Sequence, residues 1–260
     1  MYSYATLVTN HDFAIGAIAL AKSLMRVKAK APLLVMTKKE MADNNEISTL
    51  KSLGCKIHIV DAIAFSEEFK QRHARKQLHD NAPFHKGEKP IFHTPLDNFL
   101  KLRLWGLEQY QKIIFLDADC LVMQNIDNLF TFPEFSGAPN LYESLADMHR
   151  LNSGVFVAQP CQYTFADMIN KLDTPNAFWR RTDQTFLQTY FPNWHNLPYT
   201  YNCLQYVWFN MPALWEWPSI KVIHYQYEKP WQKNHPKAAQ LQPLIDIWWD
   251  IYNGKEPQFA

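Results

Sequence analysis

The stretch that most constrains this chain is Lys112-Ile-Ile-Phe-Leu-Asp-Ala-Asp119. Ile113 to Leu116 form a short, unbroken apolar run with two β-branched residues. That is the composition of a strand buried on both faces, as in a parallel sheet covered by helices. The run stops abruptly at two acids, Asp117 and Asp119, separated by one small residue. Ligands of open α/β sheets sit in the crevice beyond the carboxyl ends of the strands. Two carboxylates there repel each other unless a cation lies between them or water screens them. Divalent cations that hold substrate phosphates, Mg²⁺ or Mn²⁺, suit such a pair. Taken by itself, the stretch is equally compatible with a strand running into an acidic, solvated turn.

The flanking sequence supports the parallel sheet. Residues 4–9 read as a strand, 10–12 as a turn, and 13–25 as a helix with Ile15, Ile18, Ala19 and Leu24 at helical spacing. Strand 31–37, helix 44–53 and strand 55–60 follow, a β-α-β-α-β rhythm that implies right-handed crossovers. Residues 65–93 break it. They are rich in Lys, Arg and His, with little periodicity, and are expected to be a flexible surface segment or a lid. Residues 96–110 read as a helix with Leu100, Leu104 and Leu107 on one face and Lys101 and Arg103 off it. Residues 151–157 read as a polar turn entering a strand, 161–172 and 182–190 as helices, and 222–225 as a short late strand. A Trp-bearing amphipathic helix closes the chain at 238–252, periodic from Leu241 on. With no repeat or linker, 1–260 is expected to be one domain.

Composition removes several alternatives. Among 260 residues, 47% are apolar and 20% charged, the profile of a globular chain with a real core. There are 7 glycines and neither G-x-G-x-x-G nor G-x-x-x-x-G-K, so a Gly-rich phosphate loop is not expected. A formal net charge of +1 provides no field to recruit nucleic acid or an anionic membrane. Cys55, Cys120, Cys161 and Cys203 are dispersed, without a disulfide framework or zinc spacing, which suggests a reduced interior. No signal peptide or apolar run of spanning length is legible, so the expected location is cytoplasmic, with no membrane span.

Ordered pieces of this sequence together resemble the glycogenin-like and galactinol-synthase-like members of glycosyltransferase family 8. They are Thr6-Leu-Val-Thr-Asn10, Leu100-Lys101, Ile114-Phe-Leu-Asp-Ala-Asp119 and Asn125-Ile-Asp-Asn-Leu-Phe130. They continue with Leu151-Asn-Ser-Gly-Val-Phe-Val157, Asp183-Gln184, Leu197-Pro198, Tyr201-Asn202 and His224 followed by Lys229-Pro-Trp231. Trp248-Trp-Asp-Ile-Tyr-Asn253 is similar to a galactinol-synthase tail.

The resemblance implies a GT-A fold, in which a Rossmann-like, mostly parallel sheet carries the Asp-x-Asp at a strand's carboxyl end. It also implies a UDP-sugar donor, Mn²⁺ (or Mg²⁺), and retention of anomeric configuration. Carried over residue by residue, Asp117, Asp119 and His224 become metal ligands. Leu7, Thr9, Asn10, Phe13 and Ala118 become nucleoside contacts, and Lys229 a diphosphate contact. Lys101, Asn152, Ser153, Asp183 and Gln184 surround the donor hexose. Asp183, Gln184 and Lys101 are then the catalytic candidates, with Asp183 binding sugar hydroxyls during a front-face attack. The expected acceptor is a separate saccharide, polyol or lipid-linked glycan, and a homodimer is implied by the family's habit of pairing.

Some positions depart from glycogenin. Arg180 stands where an acid precedes the Asp-Gln pair, and Phe209 falls near the self-glucosylated tyrosine. The glycine between the late His and Lys-Pro-Trp is missing from a segment one residue shorter. A UDP-sugar hydrolase, a self-glycosylating primer and a non-catalytic scaffold remain the alternative readings.

Overall fold

A computed structural model of the chain describes residues 1–80, 90–232 and 234–259. The expected rhythm is present as β1 (Tyr2–Val8), α1 (His11–Arg26), β2 (Leu33–Thr37), α2 (Asn45–Ser52) and β3 (Lys56–Ile59). Then come α3 (Glu67–Arg72), β4 (Lys112–Leu116), β5 (Cys120–Val122), β6 (Ser136–Pro139) and β7 (Leu151–Ala158). The remainder comprises α4 (Gln162–Leu172), α5 (Asp183–Tyr190), β8 (His195–Asn196), β9 (Cys203–Leu204), α6 (Val207–Asn210), β10 (Val222–His224) and α7 (Ala238–Tyr252).

The central sheet runs β3-β2-β1-β4-β7-β6-β8. Its first four strands are parallel, with Tyr4 opposite both Leu33 and Ile114, and β7 joins antiparallel with Val155 opposite Leu116. Side chains of β4 alternate between two cores, as an apolar run on a doubly covered strand must. Ile114 and Leu116 pack with Ala14, Ile18 and Leu20 of α1 and Ile47 of α2. Ile113 and Phe115 pack on the opposite face with Trp105, Met168 of α4 and Phe186 of α5. A second sheet, β5-β10-β9, builds a third core with Leu244, Ile247 and Trp248 of α7. Among the described residues, no helix is long and apolar enough to cross a membrane.

Two segments differ from the sequence expectation. Pro95–Gly106 is a run of tight 3₁₀ turns rather than an α-helix, and it buries Phe99, Leu100, Leu102, Leu104 and Trp105 together. With three residues per turn, Lys101 no longer falls off the apolar face and is buried. Leu151–Ala158 is strand throughout, with no polar turn at its start, and its polar residues are satisfied within the interior.

The expected lid at 65–93 begins with α3 and a turn at Lys76–Asp80, and residues 81–89 lie outside the described residues. His73 ties this segment down. The Trp179 N–H donates to His73 Nε2 at 2.8 Å, so the ring is neutral and its Nδ1–H donates to the Phe69 carbonyl at 3.0 Å. Burial, and then the neighbouring Arg72 charge, hold the imidazole pKa below its ordinary 6.5. A base with a depressed folded pKa stabilises above its unfolded value and loses that stability as pH falls through it. The melting-temperature advantage of the wild-type protein over His73→Gln is therefore expected to shrink between pH 7.5 and pH 5.5, about one unit either side of the unfolded value.

Helix α1 packs against the turn beyond β4 through Gly16. A Cβ there would lie 2.7 Å from Cη2 of Trp231 and closer still to the Ala118 carbonyl, which is backbone and cannot turn aside. Gly16→Ala is expected to destabilise the fold by about 1–3 kcal/mol, measured by chemical denaturation.

Candidate active site

The turn Asp117–Cys120 joins the two sheets. β4 ends at Leu116, yet the Asp117 N–H still donates to the Gly154 carbonyl of β7 at 2.8 Å. The Cys120 N–H closes the turn onto the Asp117 carbonyl at 2.9 Å. From there β5 pairs antiparallel with β10, placing Cys120 opposite His224, and the Tyr225 N–H donates to the Asp119 carbonyl at 2.9 Å. Thus β4 presents Asp117, the turn presents Asp119, and β10 presents His224 at one point. Gly154 makes room for the imidazole, since a Cβ there would stand 2.5 Å from His224 Nδ1.

The ring's orientation follows from a relay of three asparagines. The Gly154 N–H can only donate, and it donates to Asn152 Oδ1 at 2.8 Å. That oxygen also accepts from Asn202 Nδ2 at 2.8 Å, while Asn152 Nδ2 donates to Asn140 Oδ1 at 2.8 Å. Asn202 Oδ1 is left to accept from His224 Nδ1–H at 2.9 Å. Nε2 therefore carries the lone pair in the neutral ring, and it faces the acids. It lies 3.2 Å from Asp119 Oδ1 and 3.9 Å from Asp117 Oδ2.

Two lysines balance the acids. Lys101 Nζ bridges Asp117 Oδ1 at 2.8 Å and Asp183 Oδ2 at 3.0 Å. Burial alone would discharge this ammonium, but Asp117 and then Asp183 outweigh it and hold its pKa above the ordinary lysine value. Lys229 Nζ pairs with Asp119 Oδ2 and also donates to the Tyr225 carbonyl at 2.7 Å. Burial tends to raise the Asp119 pKa, yet Lys229 and His224 prevail and keep it far below the usual carboxylate range. Asp117 goes the other way: withdrawal from bulk water, only partly countered by Lys101, pushes its pKa above the ordinary 3.8.

The donor set fits a divalent cation. Adjacent ligands around a small octahedral ion stand about 3 Å apart; Asp119 Oδ1 approaches Nε2 at close to that spacing, while Asp117 Oδ2 stands farther off at 3.9 Å. Cys120 lies in the same cluster as Asp119 and His224. It stays a thiol, because burial and then the Asp119 charge push its pKa well up. Asp117, not Cys120, is thus the third ligand the chemistry favours.

These groups line one cleft of about 890 Å³. It also takes in Leu7, Thr9, Phe13, Ala118, Asn152, Ser153 and Gln184, all named from the sequence. Asn10 is an exception. Its side chain caps α1, accepting from the Phe13 N–H at 3.0 Å, and donates to the Phe92 carbonyl at 3.0 Å, so it shapes the wall without lining the cleft. Asp183, 2% exposed, has both oxygens engaged: Ser153 Oγ donates to Oδ2 at 2.7 Å and Thr182 Oγ1 to Oδ1 at 2.9 Å.

Sequence reasoning missed Arg75, Arg150, Arg181, Tyr142 and Tyr227 as lining residues. The missing glycine gave the one available signal, for Tyr227 now takes a left-handed φ of 63° in that segment.

The charge balance makes Lys101 a test of the whole arrangement. Lys101→Met leaves Asp117 and Asp183 without their shared cation, and removing one partner of a buried ion pair costs about 3–5 kcal/mol. A loss of that size at pH 7.5, measured by denaturant unfolding, is expected.

Comparison with known proteins agrees with this geometry. The family profile described as glycosyl transferase family 8 matches residues 5–235. Galactinol synthase 1 of Solanum lycopersicum is 28% identical over 284 residues, covering 96% of this chain and 81% of the relative. Glycogenin-1 of Oryctolagus cuniculus is 28% identical over 271 residues, covering 96% and 75%. The crystal structure of galactosyltransferase LgtC in complex with donor and acceptor sugar analogs superposes with a TM-score of 0.59 at 14% identity, covering 98% of this chain and 96% of that one. That likeness shows a shared GT-A fold. With the profile spanning nearly the whole chain and the Asp117, Asp119 and His224 cluster where its sheets meet, this protein belongs to glycosyltransferase family 8.

Proposed function

We propose that the chain is a retaining hexosyltransferase that moves a sugar from a UDP-sugar, UDP-glucose or UDP-galactose first and UDP-N-acetylglucosamine also, to the hydroxyl of a separate acceptor. The observation that carries this reading is the convergence of Asp117, Asp119 and His224 on one point, with Lys229 on one side and the Lys101–Asp183 pair on the other. Asp117, Asp119 and His224 would hold a divalent cation, Mn²⁺ ahead of Mg²⁺ because one donor is an imidazole. When bound, that cation supplies positive charge against the diphosphate as the sugar–phosphate bond breaks.

Lys229 would hold the departing diphosphate in this reading; its Nζ lies 6.0 Å from the Phe13 ring centroid. Phe13, Leu7, Thr9 and the Ala118 backbone receive the nucleoside in this reading, and Asn152, Ser153 and Gln184 the hexose. Asp183 binds sugar hydroxyls rather than acting as a nucleophile, because Ser153, Thr182 and Lys101 already occupy its oxygens. Retention then proceeds by front-face attack. The acceptor oxygen bonds to the anomeric carbon as the diphosphate leaves the same face, and the acceptor's proton passes to the departing diphosphate oxygen. Arg180 and Arg181 line the cleft beside Asp183, which favours a hexuronate as a second donor class.

A separate acceptor, a saccharide, polyol or lipid-linked glycan, is supported at Phe209, a phenyl ring packed 5.0 Å from that of Tyr206 with no hydroxyl to glycosylate. The reading of 65–93 as a cover over the cleft draws on Arg75, Leu78, Pro90 and His93, which line it. Four free cysteines support a reducing, cytoplasmic setting, and pairing of two copies completes the proposal.

The test is UDP release with Mn²⁺, with and without EDTA, against UDP-glucose, UDP-galactose, UDP-N-acetylglucosamine and UDP-glucuronate. Turnover of one donor that EDTA abolishes is expected. Asp117→Asn and Asp119→Asn should each lower it by at least about a hundredfold. Asp183→Asn with near-normal transfer would remove that residue from the mechanism. No donor turnover and no metal-dependent UDP binding would leave a scaffold.

A further inference from the structure

Buried polar atoms in folded proteins nearly always have partners, and the cleft breaks that rule at Gln226. This residue is 4% exposed and lines the cleft, yet its Oε1 and Nε2 are both buried without a hydrogen-bond partner. Its backbone, in contrast, is fixed. Gln205 Nε2 donates to the Gln226 carbonyl at 2.5 Å and to the Glu228 carbonyl at 3.0 Å, clasping the segment from beneath. Tyr227 next to it holds the left-handed φ of 63°, a conformation that persists only where surroundings impose it.

The chemistry of the orphaned group narrows its ligand. A carboxamide offers donors on one side and an acceptor on the other. A diphosphate oxygen only accepts, so it would leave Oε1 unsatisfied. A hydroxyl both donates and accepts, and a pair of neighbouring hydroxyls satisfies the whole amide. The adjoining wall suits the same ligand. The Tyr227 ring lies 5.8 Å from that of Tyr142 and 5.5 Å from that of Tyr206, giving apolar faces beside a polar reader. Alternating C–H faces and hydroxyls are what a sugar or a polyol presents. The donor's sugar already has Asp183, Lys101, Asn152 and Ser153, which come from other elements. We propose that Gln226, in the cleft that Tyr142 and Tyr227 also line, binds hydroxyls of the acceptor, a neutral saccharide or polyol, and so selects it. This rests on the transferase reading above.

The test uses the full chain with its preferred donor and three probe acceptors, myo-inositol, glycerol and maltose, and compares wild type with Gln226→Leu and Gln226→Glu. At least one probe should accelerate UDP release by the wild-type protein. Both variants should raise the KM for that probe about tenfold or more, the loss expected of one or two hydrogen bonds, while the donor KM moves less than about threefold. Gln226→Leu should melt at or above the wild-type temperature, because it removes an unsatisfied buried amide. A donor KM that rises while the acceptor KM stays put would overturn the proposal, as would no change in either. Wild-type donor hydrolysis that no probe accelerates would also overturn it. A wild-type protein that turns over no donor at all would overturn the transferase reading, and this inference with it.

Discussion

Three carboxylates, Asp117, Asp119 and Asp183, share one cleft, and the rest of the structure depends on keeping that charge compensated away from bulk water. Two nearly buried lysines do so, in two groups. Lys101 joins Asp117 to Asp183, and Lys229 with His224 holds Asp119. The opposite pKa shifts of the two motif acids follow from this division. Asp119 has Lys229 and His224 against its oxygens and ionises readily, whereas Asp117 is withdrawn from bulk water, shares one lysine with a competitor and resists ionisation. A cation that draws on both acids and His224 would relieve Asp117 most, because it lacks a charge of its own.

The two sheets exist in service of that arrangement. A single parallel sheet could present Asp117 at the end of β4 but nothing opposite it. The turn Asp117–Cys120 carries the chain into a second sheet, whose β10 returns antiparallel with His224 in register with Cys120. The close approach this demands is visible at two glycines. Gly16 lets α1 press against the Ala118 carbonyl, and Gly154 lets the His224 ring lie against β7. Neither has a positive φ, so space rather than backbone freedom requires them.

How far the sequence disclosed this can be judged residue by residue. The unbroken run Ile113–Leu116 announced a doubly buried strand, because that burial leaves no polar face to write an alternation. The β-α-β-α-β rhythm was legible for the same reason, each crossover helix carrying its own 3.6-residue stripe. Lys101 was not legible by periodicity. A 3.6-residue reading turned it outward, while the tight turns of Pro95–Gly106 bring it in to meet two acids distant in sequence. The Asn140–Asn152–Asn202 relay was equally hidden, since its pairings span 12 and 50 residues and each asparagine alone reads as a turn. Strands β5 and β9 are three and two residues long, too short for any period to register, whereas β10 was legible as the short apolar run at 222–225.

Resemblance supplied what periodicity could not, and one of its limits falls on the segment after His224. Asp117, Asp119 and His224, which the resemblance assigns to a cation, lie together in one cleft. Besides Arg180 and Phe209, one departure follows His224, where a glycine is missing and Tyr227 adopts a conformation that costs a non-glycine residue about 1–2 kcal/mol. Such strain is retained only when contacts over-determine it. Here the Tyr227 ring packs against Tyr142 and Tyr206, while Gln205 clasps the backbone on either side of it. The same segment ends in Lys229, so the strained turn joins the lysine that holds Asp119 to a wall of aromatic rings and an unsatisfied amide. The change after His224 thus falls where the chain leaves the charge cluster, so it alters the cleft wall without disturbing the compensation of Asp117, Asp119 and Asp183.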